Sequence, residues 1–386
     1  LVGRPVRPRT ANVVAWRRRN CRGESSMSQY VMWFEGYWDG MKAEVGGKAA
    51  SLGEMTGADL PVPPGFALTT GAYRVSRDAA DIDAMLARLL HGLDVSDTGQ
   101  VSRVCAQIRD IIRAMPLPAD IETSIRTEYS TLSARCEIND LPVAVRSSAT
   151  SEDSPDASFA GEHDTYLWVR GADAVVDAVR RCWASLFTDR ATCYRVEMGY
   201  EHRTVEMAVV IQKMVRPISA GVAFTLNPSN GDRSQIAIDA SWGFGESVVS
   251  GEVTPDNFLV DKVLLEVSKR EISHKAHEYR LTDHDSVEKA GIDPERADAP
   301  CLTDRQIKAI ALLAKTAEKH YGCPQDIEWA VDMDLPEGEN VILLQARPET
   351  VWSKKPRQSV AGGADKNPMA SIVSTLMNPL YARKDG

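Results

Sequence analysis

The sequence predicts an α+β chain, helical in its first half and strand-rich in its second, and three observations predict it. Residues 81–93, 101–115 and 172–195 carry apolar side chains at helical spacing; in the last, Val175, Val179, Cys182, Trp183, Leu186 and Phe187 share one stripe. From residue 206 onward the apolar runs shorten to strand length, at 207–215, 219–228 and 342–347. The 386 residues, 43% hydrophobic and 26% charged, suit a globular chain with ample core.

A net charge of −9 and the lack of a basic aromatic face argue against nucleic-acid binding. They do not exclude a nucleotide, for which a few focused cations suffice. The cysteines at 21, 105, 136, 182, 193, 301 and 323 form no CxxC pair and have no His partner at metal-ligand spacing. We read them as reduced thiols, mostly core filler, in a cytoplasmic protein. No apolar run is long enough to span a bilayer, so no membrane partner is expected. Residues 1–26 are Arg-rich without a signal core; an organellar presequence is one reading. The favoured one is a disordered or non-native leader, with Met27 as the natural start.

In chain order, an aromatic strand-like run (30–40) precedes Gly46-Gly47-Lys48. Ala49, Ala50, Leu52 and Met55 then fit one face of a short helix. Lys48 thus sits at a helix mouth behind a Gly-Gly turn, where an ammonium can meet a phosphate beside backbone donors. The GxxxxGK[ST] loop is not present, and a surface lysine fits the spacing equally well. Pro61, Pro63 and Pro64 impose an extended segment, Gly65 turns it into a strand, and Thr69 or Thr70 can cap the next helix. The helical stretches that follow, with Ile82, Met85, Leu86, Leu89 and Leu90 on one face, are scaffold.

Residues 142–165 organise the chain. The strand Val143-Ala144-Val145 ends at Arg146, followed by Ser147, Ser148, Thr150 and Ser151, then acids and Phe159-Ala160-Gly161. A guanidinium beside small hydroxyl and glycine residues suits a polyphosphate, because Arg offers a fork of donors and small residues admit close backbone N–H groups. A solvated loop whose Arg pairs with Glu152 or Asp153 is the plain alternative.

The second half opens with 207–215 and 219–228, joined by Arg216-Pro217-Ile218 in a hairpin-like pair. Gln212 and Lys213 interrupt the first run; a polar group there needs a partner, which an adenine edge or a solvent-facing side of the strand could provide. A strand, a Gly-rich turn at Gly243 and Gly245 and a second strand ending at a Thr-Pro-Asp corner follow. GxGxxG fails because position 248 is Val, so a Rossmann reading is rejected. His274, His277 and His284 read as solvated rather than metal-binding, and Thr303-Asp304-Arg305-Gln306 as a capping box. The last block gives two strands with Asp326 and Glu328 on one face of the first and Gln345 and Arg347 on one face of the second. Either a Glu–Arg bridge or a magnesium–polyphosphate site accounts for that charge.

Taken in order, VGGKAASLGEM, VPPGFALTTGAY, VRSSATSEDSPDASFAGEHDT, QKMV, SAGVAFTLNP, TPD, DIEW and LLQARPET make the chain resemble the N-terminal ATP-binding domain of phosphoenolpyruvate synthase and pyruvate phosphate dikinase, which rifampin phosphotransferase shares. The resemblance covers about residues 30 to 352. It implies an ATP-grasp fold, with ATP in the cleft between an N-terminal α/β part (27–205) and a strand-rich second part (206–352), followed by a tail or partner-docking segment (353–386). Lys48 and Arg146 then match phosphate-contacting cations, Gly161 and Thr165 the phosphate loop, and Gln212 the strand beside the adenine. Glu328, Gln345 and Arg347 match the cluster at the phosphate end, Glu328 and Gln345 as ligands of Mg2+.

In the family this domain phosphorylates a histidine on a swivelling domain and AMP leaves. None of the seven histidines here follows a Gly-rich segment in a Thr-Cys-His-type setting. The resemblance therefore implies a separate subunit carrying the phosphohistidine and acceptor-binding domains, an arrangement like the ATP-binding subunit of phenylphosphate synthase. A regulatory subunit that binds ATP without transferring it, or an isolated ATP domain of phosphoenolpyruvate synthase or rifampin phosphotransferase, are the alternatives.

Overall fold

The structure, a computed structural model, describes residues 29–149, 164–282 and 286–352. The leader 1–26, Gly161, His284 and the tail 353–386 lie outside the described residues.

The α+β expectation holds. The first half runs β1 (Val31–Trp33), α1 (Lys42–Gly57), β2 (Gly65–Leu68), α2 (Thr70–Ala79), α3 (Ile82–Leu90), α4 (Thr98–Ala114), α5 (Ala119–Arg135), β3 (Val143–Ala149), β4 (Thr165–Val169), α6 (Ala172–Ala184) and α7 (Asp189–Glu197). The second half adds β5 (Met207–Lys213), β6 (Pro217–Phe224), β7 (Gln235–Trp242), α8 (Glu246–Val249), β8 (Asp256–Asp261) and β9 (Val267–Glu271). It continues through β10 (His277–Leu281), β11 (Val287–Gly291), α9 (Pro294–Ala297), α10 (Asp304–Tyr321), β12 (Gln325–Asp332) and β13 (Val341–Pro348). An antiparallel sheet of order β1-β2-β5-β3-β4 and a second of order β13-β12-β6-β7-β8-β9 result, with β10 and β11 as a separate pair.

Period-two alternation decides what each face of the first sheet does. Val143, Val145 and Ala149 of β3 point into a core with Ile108, Ile112, Ile121, Ile125, Trp183 and Phe187 from the helices. The stripe read over 172–195 lands there entire, although that stretch is not one helix: α6 carries Val175, Val179, Cys182 and Trp183, a 3-10 turn at Ser185–Phe187 carries Leu186 and Phe187, and α7 restarts at Asp189. A second core joins Val45, Leu52 and Met55 of α1 and Ile307, Ile310 and Ala314 of α10 to Ile238, Phe258, Trp329 and Leu343 of the second sheet. Ala67 and Val210, from the other face of the first sheet, also reach it. Helix α1 therefore packs between the sheets, and its N-terminal end is fixed by both.

Three local expectations are corrected. β5 and β6 are not a hairpin: β5 hydrogen-bonds to β2 and β3, β6 to β12 and β7. The link through Met214–Arg216 instead carries the chain from one sheet to the other, and β5 belongs to the first sheet although the sequence placed it in the second part. The strand near Thr-Pro-Asp begins at Asp256 rather than ending there. Asp256 fixes that start: its carboxylate accepts Nζ of buried Lys275 at 2.6 Å and the backbone N–H groups of Ser273 and Cys301 at 3.0 and 2.9 Å. Thr69 occupies the N-cap of α2, but its side chain makes no capping bond. The Thr303–Gln306 capping box on α10 is present as read, and helix α5 went unread.

The six described cysteines are free thiols. No helix among the described residues is long and apolar enough to cross a membrane. Residues 349–386 form a separate unit, whose described part is a turn in which Glu349 accepts the N–H groups of Val351 and Trp352.

Candidate functional site

Backbone geometry builds the first part of the site. Gly46 interrupts α1 with φ 75° and ψ 171°, so regular helix resumes only beyond it. A Cβ at Gly46 would stand 2.2 Å from the Ser148 carbonyl oxygen; only glycine allows the helix to come this close to β3. The Ser148 hydroxyl donates to the Val45 carbonyl at 2.8 Å and accepts the Ala49 N–H at 3.1 Å. Lys48 is thereby placed at the resumed helix start, with Nζ donating to the Ser147 carbonyl at 2.8 Å.

Arg146 is the neighbour of Ser147 on β3, opposite Thr165 of β4 and Val210 of β5. Its Nη2 donates to Oε1 of Gln345 on β13 at 3.1 Å, linking the first sheet to the second. Gln345 stands opposite Glu328 in the β12–β13 register, and Arg347 opposite Asp326. Arg347 Nη2 donates to Glu328 Oε1 at 3.3 Å and lies 4.0 Å from Asp326 Oδ2. Strand alternation and the β12–β13 pairing bring Glu328, Gln345 and Arg347 together; the fold adds Arg146 through Gln345, and Lys48 stands next to Arg146 on the Ser147 carbonyl. Thr165 is exposed at the first position of β4, paired with Arg146.

Gln212 is buried, so the solvent-facing alternative for it is excluded; its Nε2 donates to the Pro63 carbonyl at 3.1 Å. It stands opposite Ala144, on the face of the first sheet that carries Arg146. Gly161 lies outside the described residues, and the structure places nothing there.

Two features were missed in the sequence. The register carries the row Gln345–Glu328 across Val222 to Asp239 and Asn257. Burial pushes the Asp239 carboxyl above the usual carboxylate range, although Asn257 Nδ2 donates to it at 2.6 Å. In a strand reading IAIDASW, one Asp between apolar neighbours gave no signal of that alignment. The second is an apolar cluster of Ala144, Trp168, Met214 and Phe244, against which Tyr279, Leu281 and Val287 of β10–β11 pack. Its members are scattered over β3, β4, the link after β5, the turn after β7, β10 and β11, which no local pattern could gather.

Three cations (Lys48, Arg146, Arg347) stand with two carboxylates (Asp326, Glu328) and an amide (Gln345), an arrangement suited to a polyanion that brings its own counter-cation. Among the described residues no group of three or more His, Cys, Asp or Glu could enclose a metal alone. The oxygens of Glu328 and Gln345, adjacent in register, do fit Mg2+, which takes one or two protein ligands and completes its octahedron with phosphate oxygens and water.

Residues 42–367 match the family model described as pyruvate phosphate dikinase, AMP/ATP-binding domain. The chain is 43% identical over 355 residues to a probable phosphoenolpyruvate synthase of Staphylothermus marinus, covering 86% of this chain and 43% of that protein. To its counterpart in Methanothermobacter thermautotrophicus it is 44% identical over 324 residues, 84% of this chain and 46% of that one. To the phosphoenolpyruvate synthase of Aeropyrum pernix it is 40% identical over 359 residues, 86% and 43% respectively. The chain spans less than half the length of each of these relatives.

Proposed function

Because this chain belongs to the pyruvate phosphate dikinase AMP/ATP-binding domain family, we propose that it is the ATP-binding part of a dikinase-type phosphotransferase, active only with a histidine-bearing partner. ATP would lie in an ATP-grasp cleft between the two sheets. The observation that carries this is the contact of Arg146 with Gln345, which puts a guanidinium of one sheet against the Glu328–Arg347 cluster of the other.

Catalysis in such a site is positioning and charge neutralisation. Release of AMP requires the α–β phosphoanhydride to break, so the group passed to a histidine carries the β- and γ-phosphorus together. Negative charge grows on oxygens over two phosphorus centres, which is why cations are needed from both sheets: Lys48 and Arg146 on one side, Arg347 on the other. Glu328 and Gln345 would hold Mg2+, which supplies neutralisation of phosphate oxygens when bound. The histidine is proposed to come from a separate subunit; water cleaves the γ-phosphorus from the pyrophosphorylated histidine as inorganic phosphate, and the phosphoryl group that remains passes to an acceptor. The name of the family, pyruvate phosphate dikinase, and those of the relatives, phosphoenolpyruvate synthases, favour pyruvate; phenol, as in phenylphosphate synthase, rests on the sequence resemblance.

The test is calorimetric titration with Mg-ATP, followed by AMP analysis in the presence of proteins that co-purify with the tagged chain. Binding of ATP, with AMP formed only when a histidine-bearing protein is present, supports the proposal. Pyruvate-dependent or phenol-dependent turnover then identifies the acceptor. ATP binding that never yields AMP with any such protein overturns the transfer function.

A further inference from the structure

Trp168 combines two departures from what a bulky strand residue prefers. Leu167 and Trp168 together stand opposite the single residue Ala144, because Val143 pairs with Val169 and Val145 with Tyr166. Such a two-against-one bulge turns a side chain out of the alternation of its strand. Trp168 also adopts φ 58°, a left-handed backbone that a bulky side chain avoids. Strain of this kind collects at ligand sites, where the surroundings over-determine it.

The result of the bulge is an indole within the Ala144–Met214–Phe244 cluster, only 8% exposed, with its ring edge-on to Phe244 at 6.4 Å and 85°. Its Nε1 is buried with no hydrogen-bond partner among the described residues. A buried indole N–H ordinarily finds an acceptor. Trp329 shares that condition, but it is sealed in the core beneath α10. Trp168, in contrast, packs with Ala144, which lies opposite Gln212 and two residues before Arg146 on the same sheet face. Phe244 is held rigidly beside it: a Cβ at Gly243 would stand 2.2 Å from the Tyr279 carbonyl, to which the Phe244 N–H donates at 2.9 Å.

We propose that Trp168 is a base-recognition residue: the purine of the bound nucleotide lies against Trp168 and Phe244, and the indole N–H donates to an acceptor on the purine edge. This rests on the nucleotide-binding function proposed above and extends it to a residue outside the charged cluster. The phosphates remain with Lys48, Arg146 and Arg347, so the base and phosphate ends can be separated experimentally.

The experiment is calorimetric titration of wild type, W168F and W168N with Mg-ATP and with magnesium tripolyphosphate, a probe that has phosphates and no base. W168F keeps an aromatic face and loses the donor; W168N keeps an amide donor and loses the aromatic face. We expect W168F to bind Mg-ATP about tenfold more weakly, the cost of leaving one acceptor unpaired. W168N should bind it more weakly still. Both should keep wild-type affinity for tripolyphosphate, which also shows that they fold. Unchanged ATP affinity in the variants overturns the proposal, as does equal loss of both ligands. If wild type binds tripolyphosphate and ATP equally well, the base makes no contact of worth and the proposal falls while the phosphate site stands. If wild type binds neither, the nucleotide function falls and this inference with it.

Discussion

Arg146 and Gln345 meet at 3.1 Å across the two sheets, one in the middle of β3, which runs on to Ala149 rather than ending at the arginine, and the other in β13, the last strand among the described residues. Nearly two hundred residues separate them in sequence. A charged donor held half-buried by one amide acceptor can exchange that partner for phosphate oxygens, and a guanidinium can engage two at once. R146K keeps the charge and loses the fork. We expect R146K and R146A both to lower Mg-ATP affinity by at least about tenfold, R146A more, with little change in melting temperature. Calorimetry and a thermal melt check this; wild-type affinity in R146A would remove Arg146 from the site.

Gly46 fixes where Lys48 stands. Alanine there meets the Ser148 carbonyl oxygen at 2.2 Å and must also hold φ 75°. The two hydrogen bonds between the helix and the Ser148 hydroxyl are then displaced together. G46A should cost about 1–3 kcal/mol in urea denaturation and weaken ATP binding through Lys48. G57A, where a Cβ meets nothing within 4 Å, is the matched control and should leave both unchanged.

Asp256 and Lys275 form an ion pair with both side chains fully buried, 2.6 Å apart. Removing one partner leaves the other charge in a site without water, so K275A should destabilise the chain by about 3–5 kcal/mol. K275M fills the space but still strands the carboxylate, and should recover only the packing share of that loss. A chemical denaturation series over the two variants measures both amounts; equal stability of K275A and wild type would show the pair to be dispensable.

What could be read in the sequence followed the reach of each signal. The burial of the 172–195 stripe and the Thr303 capping box follow from patterns within a few residues, and both stand as read. Gln345 and Arg347, like Asp326 and Glu328, were legible as face-sharing pairs because strand alternation is rigid, but the register that sets Glu328 opposite Gln345 depends on a bulge between Glu328 and Trp329 that neither strand shows alone. The β5–β6 pair failed for the opposite reason. A short polar link between two apolar runs looks the same whether it reverses a hairpin or crosses from sheet to sheet, and only the long-range partners β2, β3, β7 and β12 decide. Trp168 was illegible because a bulge is a mismatch between two strands, visible in neither alone.

Asp239 gives the fold a pH dependence of definite sign. Burial raises its carboxyl above the ordinary aspartate range, so the folded chain holds that proton more tightly than the unfolded one. Its contribution is therefore fully present below the ordinary carboxylate range and is lost as pH rises through the raised value. D239N abolishes the titration and leaves an amide beside Asn257. The stability difference, variant minus wild type, should increase as pH rises from about 3 to 7. Melts across that range read it directly; a difference that stays flat would mean the carboxyl titrates alike in both states.

Glu328 and Arg347 should separate function from stability. Their pair is 3.3 Å long, with the arginine side chain 41% exposed and the glutamate 19%, so screening by solvent leaves it worth about 0–1 kcal/mol. E328A and R347A should accordingly melt within a few degrees of wild type, since about 1 kcal/mol moves the midpoint of a chain this large only slightly. Phosphoryl transfer should respond quite differently: R347A removes a cation from the charge-neutralising set, and E328A removes the one carboxylate expected to hold Mg2+. Both are expected to abolish AMP formation with the histidine-bearing partner. Raising the magnesium concentration should partly restore E328A, whose defect lies in holding the ion, and should do nothing for R347A, whose lost charge the ion cannot replace at the same place. Full AMP formation in either variant would detach that residue from catalysis, and a collapse in melting temperature would mean that the pair belongs to the scaffold after all.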